Sequence, residues 1–305
     1  MSAPDLSVEI AGLRLQNPVM SASGTFGYGL EYAPYLDLTG VGAIVTKAVT
    51  LEPRDGNPPP RMRETPAGVL NAIGLQNPGA QAFLAEKLPE LRGYGVPVIV
   101  NVSGRTVEES AELARILSVD GIAALEVNIS CPNVENEGMH FGVDCDLTAD
   151  LTAAVVSVTE LPVIVKLSPN VTDIVSIALA AQEAGAHALS LINTLLGMSI
   201  DVDRRRPHLG NITGGLSGPA IRPVAVRMVW QVAQAVRVPL IGMGGIMNAR
   251  DAIEFMLAGA SAVAVGSANL VEPTSMQRVI NGLSEYCRAH GIERITDLVG
   301  ALEID

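Results

Sequence analysis

Aromatic side chains are scarce in this 305-residue chain: Phe, Trp and Tyr make up 3% of it, with a single Trp. Hydrophobic residues still account for 48%, so a core must be filled by Ala, Val, Ile and Leu. Basic residues are also short, 20 Lys and Arg against 32 Asp and Glu, for a formal charge of −12. A surface this acidic argues against nucleic acid and anionic membranes as partners. An anionic substrate then needs a local positive site, because the global field repels it. The three cysteines, Cys131, Cys145 and Cys287, are odd in number and irregularly spaced. That pattern supports neither a disulfide framework nor a zinc site. No apolar stretch reaches the roughly 18 residues of a spanning helix. The N-terminal MSAPDLSVEIAGLRL lacks the basic start and apolar run of a signal peptide. These absences describe a reduced, cytoplasmic protein with no membrane span, no metal centre, no internal repeat and no low-complexity tract.

What is present is a recurring unit. Short β-branched runs occur at 18–23, 42–47, 97–103, 124–130, 162–168, 188–193, 239–243 and 262–266. They are continuously apolar rather than alternating, as parallel strands buried on both faces are. Amphipathic segments with caps follow them. Thr106 opens a helix to about Leu117, and Thr172-Asp173 opens another that ends near Gly185. Residues 219–236 form a long one, and Asn248 caps 249–257 with Gly259 beyond its end. Eight such units without a break in composition predict one α/β domain over 1–305, a (β/α)8 TIM barrel with its active site at the C-terminal face of the strands. A doubly wound sheet is the alternative, but Gly24-Thr-Phe-Gly27-Tyr-Gly29 only weakly imitates its dinucleotide turn. Two long links, 50–79 with six prolines and 195–218, both follow strands and so belong to that same face.

Polar residues collect at the strand exits: Ser23, Lys47, Asn101, Asn128, Lys166, Asn193, Gly244-Gly245 and Gly266-Ser267, with Cys131 on a loop above. Any one of them could simply meet water. Two lysines and three asparagines in equivalent places point to a shared bowl. A lysine near a core is costly without a counter-charge, so each predicts an anion beside it. The glycines at 244, 245 and 266 sit where backbone N–H groups can approach a phosphate, as recurs after the seventh and eighth strands of barrels. Cys131 taken alone is most simply a small buried hydrophobe. Its neighbours Asn128 and Asn133 serve no packing need and argue for chemistry.

Several longer pieces carry a resemblance. They are Ser21-Ala-Ser-Gly-Thr-Phe-Gly-Tyr-Gly29, Asn71-Ala-Ile-Gly-Leu-Gln-Asn-Pro-Gly79, Asn128-Ile-Ser-Cys-Pro-Asn133, Val165-Lys-Leu-Ser-Pro-Asn-Val-Thr-Asp173, Ile192-Asn-Thr194, Ile212-Thr-Gly-Gly-Leu-Ser-Gly-Pro-Ala220 and Ile241-Gly-Met-Gly-Gly-Ile246. Together, and in this order, they resemble the catalytic subunits of class 1B dihydroorotate dehydrogenases over nearly the whole chain. The resemblance implies a barrel that holds FMN and oxidises dihydroorotate to orotate in pyrimidine biosynthesis. A proton leaves C5, and a hydride passes from C6 to the flavin.

By the same resemblance Cys131 is the catalytic base, on the substrate face opposite the flavin. Lys47, Asn71, Ala72, Ile73, Gly74, Leu75, Asn128, Asn133, Asn193 and Thr194 contact the substrate. Each asparagine offers a donor and an acceptor to a pyrimidine edge or a carboxylate. Ser23, Lys47, Ala48, Asn101, Asn128, Lys166, Ile192 and Gly218 contact FMN, with Gly244, Gly245, Gly266 and Ser267 at its phosphate end. Lys166 offsets the negative charge of the reduced ring. Class 1B enzymes pass electrons to NAD through a second subunit that carries FAD and a [2Fe–2S] cluster. Three cysteines are too few for such a cluster here. The implied assembly is a heterotetramer built on a catalytic homodimer.

Rival readings are a fumarate-dependent class 1A enzyme, a dihydropyrimidine dehydrogenase-like flavin domain, a Schiff-base aldolase using Lys166, and a non-catalytic phosphate-binding barrel. The 192–197 and 212–218 segments favour class 1B over 1A. Asn133, where the dihydropyrimidine enzymes carry His, disfavours the second. Cys145 and Cys287 read as structural and Arg204-Arg-Arg206 as a solvated run, while His140 has no assigned task.

Overall fold

A computed structural model describes residues 3–129 and 141–304. Its central sheet has eight strands. They are β1 (Val19–Ser21), β2 (Ile44–Val45), β3 (Val98–Val102), β4 (Ala124–Asn128), β5 (Val163–Lys166), β6 (Ala188–Leu191), β7 (Leu240–Met243) and β8 (Ala262–Val265). Each falls within one of the runs picked out above. Neighbouring strands pair in parallel, from β2 through β3 to β8 and back to β1. A parallel bridge between Met20 and Ala43 joins β1 to β2, and Gly42 N–H donates to Val19 O at 2.8 Å. The ring thus closes as a (β/α)8 barrel, which removes both sheet edges.

The strands are buried almost throughout because helices cover the outside. The cores on either side of the wall are mainly aliphatic, with Phe26, Phe83 and Phe255 as the largest fully buried side chains. Helix starts follow the caps in the sequence. Thr106 Oγ1 accepts from Glu109 N–H at 3.1 Å ahead of the helix Val107–Leu117. Asp173 caps Ile174–Glu183 through Val175 N–H and Ser176 N–H. Asn248 and Asp251 form a reciprocal capping box on Ala249–Leu257. The segment expected at 219–236 is a short 3-10 turn, Pro219–Ile221, followed by the helix Arg222–Ala233.

The two long links are not loose. They pair with each other as a four-stranded antiparallel sheet, in the order Leu195–Met198, Thr213–Ser217, Gly68–Asn71, Met62–Thr65. Gly215 lies opposite Asn71, and Asn71 Nδ2 donates to Gly215 O at 3.3 Å. This sheet was not anticipated. Glycines at 68, 197, 214 and 215 obscure the alternation of three of its strands, and although Met62–Thr65 meets Gly68–Asn71 as a local hairpin, the central pairing of Gly68–Asn71 with Thr213–Ser217 spans a long separation. Asn77 pins the return of the first link: Oδ1 accepts from Thr50 N–H and Gly79 N–H, while Nδ2 donates to Leu75 O and Thr50 Oγ1. Among the described residues no helix is long and apolar enough to cross a membrane.

Asp251 does two jobs in this frame. Its Oδ2 accepts from Met247 N–H and Asn248 N–H, and its Oδ1 pairs with Arg222 on the preceding helix. Asp251 is 5% exposed. Replacing it with Ala orphans two backbone donors and removes one of the two carboxylates that pair with Arg222, leaving Glu254. Urea denaturation of Asp251→Ala should show a loss of about 3 kcal/mol, and a loss under about 1 kcal/mol would contradict this account.

Candidate active site

The C-terminal ends of the strands open into a cleft enclosing about 1280 Å³, part of it continuous with solvent. Its floor is polar although the strands are apolar. Lys166 at the end of β5 donates from Nζ to Ser23 Oγ at 2.7 Å. Its Nζ also lies 3.8 Å from Glu126 Oε1, with both side chains nearly inaccessible, at 4% and 2% exposed. Glu126 Oε1 accepts from Asn101 Nδ2 at 2.6 Å, and Oε2 accepts from Ser190 Oγ at 2.8 Å.

Glu126 was overlooked in the sequence. The signal was there: an ionisable residue in the middle of the apolar run Leu125-Glu126-Val127. Its presence also corrects one inference. The anion predicted beside Lys166 is supplied by the protein, so Lys166 by itself does not call for an anionic ligand. Lys47 does. It forms no ion pair among the described residues, and burial holds its ammonium below the ordinary lysine range, against a smaller opposing pull from Glu31. An anion bound beside Lys47 would offset that desolvation.

The roof of the cleft is the antiparallel sheet, through Met62, Val69, Asn71 and Ser217, with Ile73, Gly74 and Leu75 following. Asn193 and Thr194 enter from the end of β6, where Asn193 Oδ1 accepts from Thr194 N–H at 2.8 Å. Asn170, which carried no assignment, holds this turn by donating to Thr194 O and accepting from Leu196 N–H, each at 2.9 Å.

Nearly all the candidates meet here. Ser23, Lys47, Ala48, Asn101, Asn128, Lys166, Ile192, Gly218, Gly244, Gly245, Gly266 and Ser267 line the cleft, as do Asn71, Ile73, Gly74, Leu75, Asn193 and Thr194. Ala72 does not. It is buried with Leu70 and Leu209 against Leu216, because successive residues of an extended chain face opposite sides. Cys131, Asn133 and His140 lie outside the described residues. Thr25, Met62, Val69, Ser217, Ile221 and Leu270 line the cleft and were not singled out. Arg204, Arg205 and Arg206 are exposed and absent from it, and Cys287 is buried.

The three glycines at the far end are not alike. Gly244 and Gly245 have φ of +127° and +79°. A Cβ on them would lie 2.8 Å from Ala225 Cβ and 2.7 Å from Gly218 O respectively. The fold alone requires both. At Gly266 φ is not positive, and the nearest atom to a Cβ would be Ala22 Cβ at 3.6 Å. Nothing within the protein demands glycine there, so the space in front of it is free for a ligand. A second feature of this kind is Asn101 Oδ1, a buried acceptor without a hydrogen-bond partner.

Fold and site together define a (β/α)8 barrel with a polar-floored cleft at the C-terminal mouth of its strands. Comparison with known proteins narrows this. Residues 5–287 match the family model described as dihydroorotate dehydrogenase. A relative from Desulforudis audaxviator, named dihydroorotate dehydrogenase B (NAD(+)), catalytic subunit, is 64% identical over 97% of this chain and 96% of its own. Relatives of the same name from Geotalea daltonii and Geobacter sp. strain M21 are 59% and 57% identical over the full length of both chains. The chain belongs to the dihydroorotate dehydrogenase family, whose members are oxidoreductases that bind FMN.

The contrast between the glycines can be measured on the cofactor-free protein. Gly245→Ala should lower folding stability by about 2 kcal/mol, through backbone strain and crowding. Gly266→Ala should fall within about 1 kcal/mol of the parent, or above it. Equal losses from the two substitutions would remove the argument that Gly266 is kept for a ligand.

Proposed function

We propose that this chain is the catalytic subunit of an NAD-linked dihydroorotate dehydrogenase, oxidising (S)-dihydroorotate to orotate in the de novo route to UMP. The observation that carries this reading is full-length similarity to relatives of that name, joined to a cleft lined by all twelve residues assigned to FMN. The cleft suits that cofactor. Asn101 Oδ1 awaits an N–H donor, as a flavin ring edge provides, and Gly266 leaves open space at the end assigned to the phosphate. When bound, FMN supplies the hydride acceptor.

The protein's own residues do the remainder. Cys131 takes the C5 proton of the substrate as a thiolate. Asn71, Asn128, Asn133 and Asn193 hold the pyrimidine and its carboxylate by paired donors and acceptors. Lys47 adds the positive charge that the carboxylate needs in an otherwise acidic protein. Thr194 and the 73–75 backbone close over the ring, and Ser23, Ala48, Ile192, Gly218, Gly244, Gly245 and Ser267 shape the cofactor's bed. The proposal extends to a partner subunit bearing FAD and a [2Fe–2S] cluster, two of each subunit assembled on a catalytic homodimer in the cytoplasm, and to one catalytic domain over 1–305.

The purified chain should be yellow and should bleach on anaerobic addition of dihydroorotate; a colourless protein that cannot be loaded with FMN would rule the reading out. Cys131→Ser should retain FMN and bind orotate while flavin reduction slows by about 10²–10⁴-fold. Near-parental reduction at neutral pH would remove Cys131 as the base.

The pH profile follows from two groups. A thiol with a pKa of about 8.5 is a few per cent thiolate at pH 7, so reduction rises nearly tenfold per pH unit below that value. Lys47 works in the opposite sense. Burial lowers its pKa, so the ammonium is lost at a lower pH than in an ordinary lysine, and anion binding weakens there. The pH profile of kcat/KM should therefore be a bell. Lys47→Met should abolish the alkaline limb and lower kcat/KM by about 10²-fold, while an unchanged alkaline limb would assign it to another group.

A further inference from the structure

The buried carboxylate beneath the cleft has no part in the mechanism above. The barrel register sets Glu126 on β4 directly beside Asn101 on β3, while Lys166 and Ser190 pair with each other on β5 and β6. Four polar side chains thus share one buried layer, and Glu126 touches the other three. Stability is a poor reason to keep such a group, since buried ion pairs can often be exchanged for apolar residues at no loss.

We infer that Glu126 is a positioning residue for the cofactor. It fixes which face of the Asn101 amide a ligand meets, and it sets how much of the Lys166 charge the ligand experiences. The inference rests on the flavin reading given above.

The first half is a matter of hydrogen-bond bookkeeping. A carboxylate only accepts, so the Asn101 amide must turn its NH2 toward Glu126. Its oxygen then faces away, buried and without a partner, in a residue that lines the cleft. The ligand group that meets it must be a donor. The second half is electrostatic. With Glu126 Oε1 at 3.8 Å from Nζ, Lys166 reaches the cleft as half of an ion pair rather than as an isolated cation. Charge added to the cofactor on reduction is therefore stabilised less than a bare lysine would stabilise it.

The test uses the full chain loaded with FMN. Glu126→Gln preserves shape and removes the charge, and its amide can turn an NH2 toward Asn101 and so reverse that side chain. The bound flavin's midpoint potential, measured against reference dyes, should move positive. A roughly tenfold gain in binding of reduced over oxidised flavin corresponds to about 30 mV for a two-electron couple. The dissociation constant of oxidised FMN should rise by about tenfold as the Asn101 acceptor is lost. Glu126→Asp keeps a negative charge beside Lys166 but is too short to hold the Asn101 amide as well. It should weaken FMN binding and leave the potential near that of the parent.

A purely structural Glu126 would lower thermal stability without moving the potential. If E126Q binds FMN as the parent does and with the same potential, the inference is overturned. If E126Q fails to fold, an E126D protein with parental FMN affinity overturns it equally. A parent chain that takes up no FMN removes the flavin reading itself, which separates that failure from this one.

Discussion

Closure of eight parallel strands in one register is the constraint on which everything else in this protein rests. Parallel pairing sends every strand out of the barrel at the same end, so residues distant in sequence arrive at one mouth. Burial on both faces leaves the strand interiors mainly to Val, Ile, Leu and Ala and puts most polar groups at the exits, Glu126 and Ser190 being buried exceptions that bond to each other. Ser23, Lys47, Asn101, Asn128, Lys166 and Asn193 thus come from six different strand ends and meet in one cleft. The chemistry is carried by short departures from an aliphatic scaffold.

The same closure decides which charges a ligand would meet in an acidic protein. The net charge of −12 repels anionic ligands at long range, but at physiological salt that field decays within about 8 Å. Inside the cleft only local charges count. Lys166 is balanced by Glu126 at 3.8 Å, and Lys47 has no such counter-ion among the described residues. Two lysines that look equivalent in sequence therefore differ in what they offer. One carries its charge inside an internal pair, and the other carries it without a counter-ion among the described residues.

Much of this was legible in the chain. The eight apolar runs locate the strands because strands buried on both faces must be continuously hydrophobic. Thr106, Asp173 and Asn248 mark helix starts because capping chemistry is local. Three kinds of information were not local and stayed hidden. The antiparallel roof joins strands such as Gly68–Asn71 and Thr213–Ser217, whose glycines erase any alternating pattern. Ala72 belongs to a run that resembles a substrate loop, but the pleat turns its side chain away from the cleft. Glu126 shows only as a charge inside a strand. Its partners Asn101 and Ser190 are separated from it by 25 and 64 residues, and no single-sequence pattern links them.

The roof also couples parts of the site that look independent. Asn71 and the residues after Thr194 lie on different strands of one small sheet, so their separation is set by its register, with Asn71 opposite Gly215 and Leu195 opposite Leu216. A slip of one residue would reverse the facing of every side chain on the shifted strand. The register is held from outside the sheet as well: Gly210 N–H donates to Pro60 O and Ala220 N–H to Ala67 O, each at 2.9 Å. Asn77 fixes the loop that carries Ile73, Gly74 and Leu75 by four hydrogen bonds of its own. Few of these groups touch the cleft. They hold two long, proline- and glycine-rich links in one conformation, which keeps Asn71 and the 73–75 segment in place over the cleft. The ordering cost of the roof is thus met in folding rather than at each binding event, as preorganisation for tight and selective recognition requires.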